Sequence, residues 1–302
     1  MNEIRRENEV MLEAIASCAP FCVDQARGTF GELLQGELPD GSHFLVTLPI
    51  SLQSKATFLP DLHTKEIRVF PSHKKKVKVA IDYLLRRFDI HLGGLLMVQS
   101  EIPEGKGLAS SSADIVASIR SVSKYLSLPI SPSVIEEVMR QIEPSDGVMY
   151  EESVTFYHRE VRLAGRLGEL PPMIIVAADT GGIVDSIQHN RKSPLYVDSE
   201  RYVFQRLLED LRVAIARRDL DEIGRVSTMS AEMNQKRLYK DYFDFFMGLN
   251  HRNGICGTVI AHSGTMIGSI LNPYAAKATE AMHQILQEFH DRDIEPMIYT
   301  NM

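Results

Sequence analysis

Residues 103 to 114 read Pro103-Glu104-Gly105-Lys106-Gly107-Leu108-Ala109-Ser110-Ser111-Ser112-Ala113-Asp114, and this stretch decides how the chain is read. The apolar residues Leu95, Leu96, Met97 and Val98 precede it, and an amphipathic helical pattern follows. A glycine-containing turn that delivers three serines to a helix start is suited to holding phosphate. The first turn of a helix leaves backbone N–H groups unpaired and carries partial positive charge. Small residues let an oligophosphate approach those amides, and serine hydroxyls bond phosphate oxygens or ligate Mg2+. The spacing is neither Gly-x4-Gly-Lys-Ser/Thr nor Gly-x-Gly-x-x-Gly; it is Pro-x3-Gly-Leu-Ala-Ser-Ser. An ordinary capped helix behind a turn is the competing reading of the same residues.

Outward from this segment, 302 residues supply material for one large or two medium domains. Hydrophobic residues make up 44% and charged residues 24%, the balance of a soluble globular protein and not of a disordered or fibrous one. No apolar run reaches the length needed to span a bilayer, so no membrane is expected as a partner. The first residues are basic without an apolar core and give no secretory signal. Three cysteines, Cys18, Cys22 and Cys256, make neither a disulfide framework nor a zinc pattern, which fits the cytoplasm. A net charge of −7 argues against nucleic acid as a partner. It does not argue against nucleotides, because a phosphate loop works through backbone dipoles and a metal ion.

Periodicity predicts a charged helix over 2–17. Short strands over 29–34, 44–48 and 54–58 are punctuated by Pro39-Asp40-Gly41. Lys74, Lys75 and Lys76 open a second helix whose apolar side is Val77, Val79, Ala80, Tyr83, Leu84 and Phe88. The lysine run itself reads as a solvated helix end and not as a binding patch. Residues 95–100 form a strand. Ile115, Val116, Ile119, Val122 and Leu126 then recur at helical spacing, and Pro129 and Pro132 separate that helix from another over 134–142. In the second half, 173–178 suits a buried strand. Long helices are expected over 198–219 and 221–236, and a third element over 241–252. Strands over 258–262 and 266–271 flank Ser263-Gly264-Thr265, before a helix over 275–290 and a strand over 297–299. There is no internal repeat. The mixed order predicts an α+β architecture in two lobes, 1–168 and 169–302, divided where Gly165, Gly168, Pro171 and Pro172 cluster. Residues 1–20 are an added N-terminal segment.

Three further segments accompany the serine-rich loop. They are Gly28-Thr29-Phe30-Gly31-Glu32-Leu33-Leu34-Gln35-Gly36, Ile142-Glu143-Pro144-Ser145-Asp146-Gly147 and Ala261-His262-Ser263-Gly264-Thr265-Met266-Ile267-Gly268. Together the four resemble, in order and across most of the chain, the motifs of the GHMP small-molecule kinases. Within that family they are most similar to the L-threonine kinases of cobalamin biosynthesis and propanediol utilisation, which also carry Ala before the serine pair. The likeness departs at Arg27 and Phe30, where those relatives have proline and cysteine, close to the expected acceptor end. The resemblance implies an α+β, two-domain GHMP kinase fold: an N-terminal domain with a left-handed βαβ connection, a ferredoxin-like C-terminal domain, and an active site between them. Nothing in the periodicity reveals that handedness, and a right-handed crossover is the ordinary expectation.

The resemblance also implies ATP and Mg2+ as cofactors and a small hydroxyl compound, an amino acid such as L-threonine or L-serine, as substrate. Pro103, Gly105, Lys106, Gly107, Leu108, Ala109, Ser110, Ser111 and Ser112 would form the phosphate loop, with Ser263 and Gly264 supporting it. Ser111 and Glu143 would hold Mg2+, and Asp146 would orient or deprotonate the hydroxyl. Phosphoryl transfer needs the γ-phosphate positioned, its charge neutralised and the nucleophile activated, and these groups would supply those needs. Glu32 and Gln35, with Thr180 and Gly181 after the buried strand, would meet the substrate, Glu32 through an ammonium group. Plainer readings stand beside these roles. Ser110 can be a helix cap, the 143–146 segment a solvated turn, Glu32 part of a surface strand, and 179–182 a strand-to-loop turn. His262 reads as structural. Another alcohol such as homoserine or a sugar is the enzymatic alternative. A GHMP fold that has lost catalysis is the alternative from another class. The oligomeric state, a homodimer included, is left open.

Overall fold

Two long strands, β1 (Cys22–Glu37) and β2 (His43–Pro60), pair antiparallel around the Pro39-Asp40-Gly41 turn. Gly41 takes φ +85°, and Ser42 N–H donates to Asp40 Oδ1 at 2.9 Å. In the computed structural model, which describes residues 21–182, 196–250, 252 and 254–302, this hairpin is the spine of a ten-stranded sheet. The helix predicted over 2–17 lies outside the described residues. β3 (Ile67–Phe70), α1 (Lys75–Arg87) and β4 (Gly94–Ser100) form a βαβ unit with β3 parallel to β4, and β4 pairs with β2. The helix after the serines, α2 (Ser110–Tyr125), lies across β1 and β2. Its Ile115, Val116, Ile119 and Val122 are buried there, so the helical spacing found its packing face.

α3 (Pro132–Arg140) follows, then the hairpin β5 (Ser153–Tyr157) and β6 (Arg162–Gly168). The second half runs β7 (Ile174–Asp179), α4 (Asp198–Arg217), α5 (Leu220–Asn234), α6 (Phe243–Leu249), β8 (Ile255–Ile260), β9 (Met266–Leu271), α7 (Ala278–Asp291) and β10 (Met297–Thr300). Its strands lie in the order β10-β7-β9-β8, all neighbours antiparallel, which is the ferredoxin-like arrangement. β1 joins this set to the first half: it pairs with β8 at one register position, Glu32 opposite Ile260. β1 also shifts register around Thr29, Glu32 and Leu34, where it bends past α2. No described helix is long and apolar enough to cross a membrane.

The chain departs from the periodicity reading in several places. β3, β5 and β6 were not expected. β3 has four residues, and β6 has no fully buried residue along its length, so neither presents a hydrophobic run. A cut at 168 falls at the end of β6. On α1, Val79 is half exposed and the inner face is completed by Ile81 and Leu85 instead. The third element of the second half contracts to α6, with Tyr242 in the left-handed conformation before it. Among the described residues Cys22 and Cys256 are free thiols.

Candidate active site

The phosphate-loop segment forms one wall of a cleft of about 580 Å³, a size that accepts a nucleotide. α2 begins behind it without a side-chain cap. Its N-cap is Ala109, held left-handed at φ 60° and ψ 29°, and Ser110 is already the first helical residue. The capped-helix reading of Ser110 therefore fails, and the first-turn amides are left for something else to satisfy. The loop is gripped from both sides. Thr29 N–H donates to Leu108 O at 3.2 Å, and Thr265 N–H donates to Lys106 O at 3.1 Å. A Cβ on Gly107 would stand 2.7 Å from Gly264 Cα, and one on Gly264 would stand 2.0 Å from Lys106 O. Gly264 thus supports the loop from behind, while Ser263 reaches the cleft. Lys106 does not line the cleft. Its Nζ pairs with Asp179 Oδ2 at 2.6 Å and donates to Gly182 O, tying the end of β7 to the loop. Pro103 is exposed outside it.

The opposite wall carries the lysine run, in which Lys75 and Lys76 are exposed as a solvated helix end would be and Lys74 is not. Lys74 has a side chain only 10% exposed and is paired at 2.5 Å with Asp114 of α2 and with Glu104 of the loop. Burial works against the Lys74 ammonium, yet the bonds from Asp114 and Glu104 outweigh it and raise its pKa. Asp114 also accepts Ser54 Oγ at 2.6 Å. Lys74→Met is expected to cost about 3–5 kcal/mol in urea denaturation, because Asp114 would be left as a buried unpaired charge. A loss below about 1 kcal/mol would contradict that assignment.

Glu143 sits where the walls meet. Ser111 Oγ donates to its Oε1 at 3.0 Å, and Lys76 Nζ pairs with its Oε2 at 2.5 Å. Ser145 holds the segment in place through Ser112 Oγ at 3.0 Å and through its N–H to His158 O, so 143–146 is anchored to α2 and is no free solvated turn. Asp146 faces the same cleft. Burial, and then the charge of Glu143, brings its pKa up to about 6. A hydroxyl and a carboxylate bonded together at the mouth of an uncapped helix suit a hard divalent cation that completes its shell with phosphate and water. That Glu143 already attracts the Lys76 ammonium shows that a cation is welcome there. Among the described residues no group of three or more His, Cys, Asp or Glu forms an all-protein metal cage.

Glu32 is buried, so the surface-strand reading of it is wrong. Burial, and then the charge of Asp146, raises its carboxyl well above the usual range, against the backbone N–H of His262 and the ammonium of Lys240. Its Oε2 has no hydrogen-bond partner. Gln35 points elsewhere, into a small cavity with Asn234, Arg237 and His262, its Nε2 equally unpartnered. Thr180 N–H and Oγ1 both donate to Thr265 O at 2.9 Å, and Gly181 N–H donates to Asp179 Oδ1, which places them at the β7 end beside Lys106. His262 packs edge-on against the His158 ring at 4.9 Å, as a structural histidine does. The two departures from the expected motif do not face the cleft. Phe30 is fully buried against Tyr299, and Arg27 donates to Ile50 O and Asn301 O. Sequence reasoning passed over Lys240, a buried lysine whose pKa burial brings down to about 8, with Glu32 opposing the fall. A charged residue between the expected helices of 221–236 and 241–252 gave no sign of its burial.

Residues 75–149, which hold α1, the loop, α2 and both cleft carboxylates, match the family described as GHMP kinases N terminal domain. Over that region the chain resembles the GHMP kinases. Two curated relatives extend the likeness beyond that domain. The L-threonine kinase of Citrobacter freundii is 26% identical over 268 residues, 86% of each chain. That of Salmonella typhimurium is 24% identical over 266 residues, 86% of this chain and 83% of the other. Among solved structures, the homoserine kinase of Cytophaga hutchinsonii matches with a TM-score of 0.73 at 15% identity, covering 95% of this chain and 96% of that one. At that identity the likeness speaks for the GHMP fold alone.

Proposed function

We propose that this chain is a Mg-ATP-dependent kinase acting on the side-chain hydroxyl of a small amino acid, L-threonine or L-serine. The observation that carries the proposal is the convergence of Asp146, Glu143 and Ser111 on the cleft that receives the uncapped start of α2. ATP and Mg2+, when bound, supply the transferable phosphoryl group and neutralise its charge. The backbone amides of 105–111 then hold phosphate oxygens, and Ser111 and Glu143 hold the metal. Asp146 accepts a hydrogen bond from the acceptor hydroxyl at its carboxylate and takes the proton as the new bond forms. Its pKa of about 6 leaves it ionised at neutral pH, yet basic enough to draw on that proton. Glu32, beside Asp146 with Oε2 unpartnered, suits the ammonium of an amino acid. The names of the two curated relatives favour threonine over other alcohols. Homoserine, also an amino acid with a side-chain hydroxyl, is the second reading, because it would offer Asp146 and Glu32 the same two groups. We divide the chain functionally into an ATP-binding domain, 1–168, and a C-terminal domain, 169–302.

ADP release from Mg-ATP is the direct test. L-Threonine or L-serine is expected to be phosphorylated, and analogues lacking the amino group are expected to lose about tenfold or more in kcat/KM because Glu32 is then left without a partner. Turnover with homoserine, mevalonate or galactose but with neither L-threonine nor L-serine would sink the substrate proposal and leave a GHMP kinase of another specificity. No turnover with any acceptor, together with no Mg-ATP-dependent rise in Tm, would sink the kinase reading itself.

A further inference from the structure

Lys240 lies on the segment between α5 and α6 and is only 1% exposed. An ammonium taken out of water is costly unless paired, and an apolar side chain of similar length would fill the space without that cost. Its backbone N–H donates to Gln235 Oε1 at 2.9 Å, and its ammonium donates to the carbonyl of Gly264. The acid whose charge it feels is Glu32, which accepts the backbone N–H of His262. One turn, residues 262–264, is therefore held at one end by the buried Glu32 carboxyl and at the other by the buried Lys240 ammonium. On its far side that turn presses on the phosphate loop, with Gly264 against Lys106 O and Gly107 Cα.

We infer that Lys240 is a positioning residue of the phosphoryl-transfer site, a role that rests on the kinase reading above. It fixes the 262–264 turn beneath the phosphate loop through Gly264. It also favours the charged form of Glu32, which burial and the charge of Asp146 disfavour. Lys240 touches neither phosphate nor acceptor in this account; it links the two ends of the site through a backbone carbonyl and a carboxylate.

Full-length Lys240→Met, Lys240→Arg, Glu32→Gln and the Glu32→Gln/Lys240→Met double variant test this by steady-state ADP release and by thermal shift with Mg-ATP. Lys240→Met is expected to raise KM for Mg-ATP and for the amino acid by about tenfold each. Lys240→Arg, which keeps the charge, should recover most of the acceptor KM. The double variant should show an acceptor KM close to that of Glu32→Gln alone, because the two charges act on each other. Unchanged kinetics in a folded Lys240→Met, or additive effects on acceptor KM, overturn the role. If Lys240→Met does not fold, the double variant, which lacks the lone carboxylate, takes its place. It must show a higher Mg-ATP KM than Glu32→Gln, and equality overturns the inference. If the parent turns over no acceptor, the kinase reading fails separately. The Mg-ATP thermal shift then decides: a smaller shift in Lys240→Met supports the grip on the loop, and an equal one removes it.

Discussion

Asp146→Asn is expected to lower kcat by about two orders of magnitude or more while Mg-ATP affinity stays near that of the parent protein. Asparagine keeps the shape of the side chain and can still accept a hydrogen bond, but it cannot take the hydroxyl proton. Asp146 is not among the groups assigned to hold nucleotide, so binding through the loop, Ser111 and Glu143 should survive. The pH dependence follows from the pKa of about 6. The working form is the carboxylate, so the parent rate should fall as pH drops through about 6, and the residual rate of the variant should lack that limb. Stability should move the other way. A carboxyl whose pKa is raised by folding contributes stability that is full below the ordinary aspartate range, is lost as pH rises through about 6 and is absent above it. The variant should therefore melt no lower than the parent at neutral pH. Full turnover in Asp146→Asn would show that the residue neither orients nor deprotonates the acceptor.

Gly264→Ala should abolish most of the Mg-ATP-dependent stabilisation although residue 264 is expected to touch no phosphate. The new methyl would stand 2.0 Å from the carbonyl oxygen of Lys106 and 2.3 Å from Gly107 Cα, both backbone atoms with no rotamer to yield. The loop cannot retreat freely, because Thr265 N–H holds Lys106 O and Thr29 N–H holds Leu108 O. Overpacking of this kind costs about 1–3 kcal/mol of stability, and here the strain falls on the loop that presents its amides to phosphate. Thermal shift with and without Mg-ATP separates the two effects. A lower Tm with an undiminished nucleotide shift would mean that Gly264 serves packing only.

Much of this site is visible in the sequence because its parts are local. Residues 107 to 112 are consecutive, and a turn into a helix is a short-range event that residue types specify. Glu143 and Asp146 were legible only through their place in the order of resembling motifs, since by composition 143–146 also fits a solvated turn after a helix. Long-range pairing was not. Lys74 looks like one of three solvated lysines until the fold brings Asp114, forty residues away, against it. Lys240 reads as a surface residue until the 262–264 turn closes over it. β6 escaped because an exposed edge strand has no hydrophobic run to announce it. Arg27 and Phe30 misled in the opposite direction. Their place in a motif suggested the acceptor pocket, whereas the side chains hold β2, the C-terminal residues and Tyr299.

The single pairing of β1 with β8 makes Glu32 a mechanical point as well as a chemical one. Apart from β2 and β5, which share two positions, the other neighbouring strands share longer runs, and bending those apart would break several hydrogen bonds together. At Glu32 and Ile260 there is one rung to disturb, on a strand whose register is already irregular. Between β1 and β8 the sheet thus has its fewest paired positions, and α5, packed on both strands, is what spans that line. A small flexure there would change the distance between Asp146 and the end of β7 while leaving both halves of the sheet intact.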